Sequence, residues 1–179
     1  MSLIDNSPEM YERLLGLRAV RAFTEDPIAH EQMAAILEAA RWTGSSKNRQ
    51  GWEFIVVDGD RLAALAAAGD FTDPIRNSAA TLALVQTPEG NPFDIGRVAQ
   101  NVMLAAAALR LGSCPITLHH QDAAADVLEL PEGFSCRYAI AIGRPFEEGD
   151  KRLREARRAG GMRGRKPIDD LVHRQHHGG

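Results

Sequence analysis

PIAHEQMAAILEAARWTGSSKNRQGWEFIVV, residues 27–57, runs a helix, a polar loop and a strand together without a spacer. Met33, Ile36, Leu37 and Ala40 fall at i, i+3, i+4 and i+7, which predicts an amphipathic helix over 28–42 with one core-facing stripe. WEFIVVD, 52–58, follows as a strand closed by the turn signal Asp58-Gly59-Asp60. Between them, Ser45 to Gln50 crowd two hydroxyls, an ammonium, two amides and a guanidinium into the mouth of the strand. Hydroxyls and amides both donate and accept, as the edge of a flavin or nucleobase requires. A loop of this composition also ends a helix simply by satisfying its own backbone, and composition alone favours that plainer reading.

The alternation continues outward from this stretch. RLAALAAA, from Arg61, reads as a short helix and ATLALVQ, 80–86, as a second strand, broken by Pro88-Glu89-Gly90-Asn91-Pro92. Asp94 is placed to cap a long helix, IGRVAQNVMLAAAALRLG, whose Ala105–Ala108 tract lets a neighbouring helix or subunit approach closely. SCPITLH, 113–119, predicts a third strand, DAAADVLEL a helix, and CRYAIAIG, 136–143, a fourth strand. A short helix, IDDLVHRQ, is predicted near the end. The pattern is that of an α+β layer fold. Four strands leave sheet edges for a partner or the tail to cover.

With 179 residues the chain is sized for one domain, taken as 1–179. Its net charge of −3 exerts no overall pull toward nucleic acid or anionic lipid. The charge is unevenly spread: residues 151–166 hold eight Lys or Arg against Glu155 alone, +7 against −10 for the remainder. The first twenty residues have no apolar h-region, and the longest apolar-rich run, 98–109, is too short for a membrane span. These features predict a soluble, cytoplasmic protein with no membrane partner. Cys114 and Cys136, without CxxC spacing, read as reduced core thiols. His173, His176 and His177 share one helical face but lack an acidic or Cys companion, so no metal site is expected. His119-His120 stand at a strand end, either as ordinary polar residues or as a proton source.

Arg18 and Arg21 in LRAVRAF, and Arg163 and Arg165 in MRGRKP, are two guanidinium pairs of the kind that bind phosphate bidentately. Each arginine alone is better read as a solvated charge. The blocks RAVRAF, 27–57, AQNVMLAAAALRLGSCPI, AIGRP and RKPIDDLVH, in that order from about Leu17 to His173, resemble the nitroreductase family of FMN-dependent oxidoreductases. The resemblance implies a three-layer fold with a central, mainly antiparallel sheet flanked by helices, in an intertwined homodimer with FMN at the subunit interface. It places Arg21 near the flavin pyrimidine edge, Arg18 near the phosphate, and Ser45, Ser46, Asn48 and Gln50 in a loop reaching over from the partner. It sets the backbone of Pro115, Ile116, Thr117 and Leu118 toward the flavin N5 and Arg163 and Arg165 on the phosphate, with the basic extension 151–179 contacting the partner subunit.

The chain departs from the family pattern at Leu17-Arg18-Ala19, where Arg-Arg-Ser is common, so Ala19 contributes backbone only. Gly44 and Gly51 also replace two loop prolines, and no flavin contact is assigned between Asp70 and Asn77. The resemblance further implies that NADH or NADPH reduces FMN and a nitroaromatic, quinone or similar small molecule re-oxidises it by a ping-pong mechanism. No catalytic acid or base is named, because the chemistry sits on the flavin. Two alternatives stand beside it. One is a flavin-binding or flavin-consuming relative, or a specialised-metabolite oxidase, on the same fold. The other is a nucleic-acid-binding module built on residues 151–166, opposed by the absence of interleaved aromatics.

Overall fold

The computed structural model describes residues 8–161 and 164–177. Helices α1 (Pro8–Gly16) and α2 (His30–Arg41) precede strand β1 (Trp52–Val57); α3 (Arg61–Ala66) and α4 (Asp73–Arg76) lead into β2 (Ala80–Gln86). Then come α5 (Pro92–Ala108), β3 (Gly112–Thr117), α6 (Gln121–Leu128), β4 (Ser135–Gly143) and α7 (Glu147–Ala159). The sheet order is β1-β2-β4-β3, and every pairing is antiparallel.

Both faces of the sheet are covered, which is why its central strands read as continuous apolar runs. On β4, Ala139 and Ala141 turn toward one face and Ile140 and Ile142 toward the other, following the two-residue pleat. The first face packs Leu62, Leu65, Ile75, Ala124 and Leu128 of α3, α4 and α6. The second packs Ile36 and Ala40 of α2 with Val98, Val102 and Ala106 of α5. Of the predicted α2 stripe, Ile36 and Ala40 are fully enclosed, while Met33 and Leu37 pack at its margin. The result is the expected three layers: helices, antiparallel sheet, helices.

Three expectations change. The cap of α5 is Asn91: its Oδ1 accepts from the Asp94 N–H at 3.1 Å, and its Nδ2 donates to the Asp94 carboxylate at 2.8 Å. Pro92 then occupies the first turn, where its missing N–H is harmless, so the helix starts earlier than Asp94 suggests. The predicted helix in IDDLVHRQ is a single 3-10 turn, Ile168–Asp170. Conversely, the basic segment contains the thirteen-residue helix α7, with Glu147, Glu148 and Asp150 in its first turn and Arg157 and Arg158 in its last, complementing the helix dipole.

Glycine positions the segment that carries Arg21. Gly112 and Gly143 face each other across β3 and β4. A Cβ on Gly112 would lie 2.8 Å from Val20, and one on Gly143 2.9 Å from Phe23, so residues 20–23 lie across the strand ends only because both lack side chains. Backbone bonds fix the seating. Val20 N–H donates to the Ser113 carbonyl, Thr24 N–H to that of Arg144, and Phe146 N–H to that of Ala22, each at 2.9 Å.

Candidate functional site

A cavity of about 690 Å³ opens where four pieces of chain meet: Arg21, the segment 70–77, strand β3 and the inner side of α7. Its floor is Cys114, Pro115, Ile116 and Thr117; Phe71 and His119 form an aromatic corner, their rings 6.4 Å apart and edge-on. A cavity of this size suits a cofactor-sized molecule.

Strand alternation decides which backbone groups face it. Leu118 N–H donates to the Arg137 carbonyl at 2.9 Å, toward β4. Thr117, one residue earlier, therefore turns its N–H away from β4 to the open edge of the strand, beside the cavity it lines, as Ser113 turns its carbonyl outward to Val20. Pro115, between them, has no N–H to offer. Leu118 is fully buried and does not line the cavity.

Two guanidiniums supply permanent positive charge to the cavity lining, those of Arg21 and Arg157. Arg21 is held through its backbone, whose N–H donates to Asp150 Oδ1 at 2.8 Å. Asp150 is buried at 4 % exposure and is balanced by Arg154, 3.3 Å away on the next turn. Burial pushes the Cys114 thiol up from the ordinary range, opposed by the positive charges of Arg21 and Arg157, while Asp150 adds to the rise. The cavity floor is thus uncharged, with cations above it.

Asp70 and Asp73 lie on the wall formed by 70–77. Asp70 Oδ1 is 3.1 Å from His120 Nε2, and the Asp70 N–H donates to His119 Nδ1 at 3.3 Å. A ring nitrogen that accepts leaves the proton on the other one, so the neutral His119 ring carries its hydrogen on Nε2.

Among the residues proposed from sequence, the structure gathers Arg21, Pro115, Ile116 and Thr117 in this cavity. Arg18 instead lines a separate apolar groove between α1 and α5, and Ala19 packs against the core. Ser45, Ser46, Asn48 and Gln50 stay in their own loop, outside the cavity within one chain. There Ser45 Oγ accepts from the Gln50 N–H at 2.9 Å, while Lys47, Asn48 and Gln50 all adopt positive φ. Gly51 is required at the strand mouth because a Cβ there would strike the backbone of Gly90. Arg165 is exposed and outside the cavity, and Arg163 lies outside the described residues.

Sequence reading missed Asp70, Phe71, Asp73 and Asn77 on the cavity wall, and Arg157 on α7. The signal for α7 was present: Asp150, Leu153, Arg154 and Arg157 recur at i, i+3, i+4 and i+7, a helical stripe disguised by its charge. The described residues contain no cluster of His, Cys, Asp or Glu able to hold a metal ion, and no helix long and apolar enough to cross a membrane.

The model of the nitroreductase family matches residues 15–86 and 79–144. An Archaeoglobus fulgidus protein provisionally named an NADH dehydrogenase/NAD(P)H nitroreductase is 27% identical over 154 residues, 79% of this chain and 88% of its own. An oxygen-insensitive NADPH nitroreductase of Salmonella typhimurium is 27% identical over 164 residues, 80% of this chain and 68% of its own. A crystal structure from Desulfovibrio desulfuricans, an FMN complex provisionally named a nitroreductase, superposes with a TM-score of 0.74 at 26% identity, covering 90% of this chain and 94% of that one.

Proposed function

This chain belongs to the nitroreductase family, and from that premise we propose that it is an FMN-dependent oxidoreductase. In this reading it takes electrons from NADH or NADPH and passes them, in alternating half-reactions, to a nitroaromatic, a quinone or a similar small acceptor. The observation that carries the reading is the cavity: an uncharged β3 floor, one outward amide at Thr117 and two guanidiniums, in a chain whose relative in Desulfovibrio desulfuricans is an FMN complex.

The residues present fit FMN by the chemistry of their donors. When bound, the flavin supplies the redox chemistry itself. Arg21 offers a cation to a ring edge that gains negative charge on reduction, a preorganised electrostatic role. Thr117 N–H offers a neutral donor from a rigid strand. The Pro115 and Ile116 surface excludes water beneath a planar ligand, and the protonated Cys114 thiol adds no charge that would repel a reduced one.

The loop 45–50 and the groove between α1 and α5 support a homodimer. Leu14, Leu17, Leu104 and Ala105 line this apolar groove of about 730 Å³, a concave face that a second copy can fill. In this reading a second copy covers the groove and supplies its loop 45–50 to the cavity.

The test is the absorbance spectrum of the purified protein from 300 to 550 nm, taken anaerobically before and after NADH and then NADPH. Flavin bands that bleach are the expected result and identify the donor. Flavin bands that persist with both nucleotides would remove the reductase assignment while keeping the cofactor. A protein that neither carries nor takes up FMN would remove both.

A further inference from the structure

Helix α7 presents one stripe to the body of the protein. Asp150, at its first turn, is buried and accepts the Arg21 N–H. Arg154, one turn on, neutralises Asp150. Leu153, Ala156 and Arg157 then line the cavity, so the stripe that docks the helix also delivers a guanidinium to the ligand space. Arg157 is itself exposed, as are Lys151 and Arg158, but of these three only Arg157 lines the cavity. Because Asp150 is matched by Arg154, Arg157 has no carboxylate within ion-pair distance among the described residues, although the cavity wall holds Asp70 and Asp73. The Asp70 carboxylate is engaged by His120, whose Nε2 lies 3.1 Å from Oδ1.

Arg21 and Arg157 are the cavity's permanent cations, and the fields of both reach Cys114. FMN has one strongly anionic group, its phosphate, carrying close to two negative charges at neutral pH. A guanidinium without a carboxylate partner matches a phosphate bidentately, whereas the polar edge of the ring asks for neutral donors and one cation, which Thr117 and Arg21 supply.

We propose that Arg157 binds the phosphate of FMN, and that α7 is therefore a cofactor-binding element held in place by the Asp150 contact to Arg21. This rests on the FMN reading above.

The test compares FMN with riboflavin, which has the same ring and ribityl chain but no phosphate. Dissociation constants are measured by quenching of flavin fluorescence for the wild type, Arg157→Gln, Arg157→Lys and Arg158→Gln, with far-UV circular dichroism to verify that α7 stays folded. Arg157→Gln should weaken FMN by about 10- to 100-fold, the scale of a lost charge-assisted hydrogen-bonding pair, and leave riboflavin within about twofold. Arg157→Lys should fall between, since it keeps the charge and loses the fork. Arg158→Gln, the same charge change at the neighbouring exposed position, should match the wild type. Equal weakening of FMN and riboflavin, or an unchanged FMN affinity in Arg157→Gln, would overturn the assignment while the flavin reading survives. A wild type that binds neither flavin would overturn both.

Discussion

Gly143 shows how closely single residues are constrained around the cavity. An added methyl there meets Phe23 at 2.9 Å, and Phe23 is itself buried against Gly112 and the β4 end. Gly143→Ala should cost about 1–3 kcal/mol as residues 20–23 are forced off the strands. Urea unfolding would read this as a lower midpoint with an unchanged slope. Cys136 gives a pH dependence. Burial pushes its thiol up to about 12, only partly offset by hydrogen bonds with the Leu84 and Tyr138 backbone. Its ionisation is therefore easier in the unfolded chain. Its contribution is complete below about pH 9 and is lost as pH rises toward 12. The urea midpoint should fall between pH 8 and pH 10.5, and Cys136→Ala should flatten part of that fall. Equal slopes for the two proteins would show that other groups carry it.

At the scale of elements, α7 is attached to the body largely through one carboxylate. Asp150→Ala removes the acceptor for Arg21 N–H and the partner of Arg154, whereas Asp150→Asn keeps an acceptor and loses only the charge. Hydrogen exchange should show α7 amides losing protection in the Ala variant, less so in the Asn variant, with β2 and β4 unaffected. Equal protection in all three proteins would mean that apolar contacts hold the helix. The elements were legible in the sequence to the degree that burial governs them. β2, enclosed on both faces, was read at its observed ends, and the α2 stripe was correct because its apolar residues face a core. The helix in α7 was missed because its inward stripe is ionic, so apolar periodicity gave no signal for it. Asp94 was misread as the α5 cap because the Asn91 side chain already occupied that role.

For the whole molecule, the fold was readable and the site only in part. Arg21 and Pro115 to Thr117 converge within one chain, whereas Ser45, Ser46, Asn48 and Gln50 lie outside that cavity and would reach it only in the proposed dimer. The proposed homodimer gives this a measurable form. Sedimentation velocity should return about twice the 19.5 kDa chain mass. Ala105→Glu, which sets an unpaired charge in the α1–α5 groove, should shift the distribution toward monomer and weaken FMN binding together. Dissociation that leaves FMN affinity untouched would place the whole flavin site within one chain.

Pro115 has a consequence beyond ligand binding. β3 is an edge strand, and an exposed edge is a template on which another chain can add a strand. Here Val20 already takes the outward Ser113 carbonyl, and Pro115 removes the next outward donor. The ladder is thus interrupted at successive outward-facing positions, so the side of the sheet that is opened to admit a ligand is also the side least able to seed an aggregate.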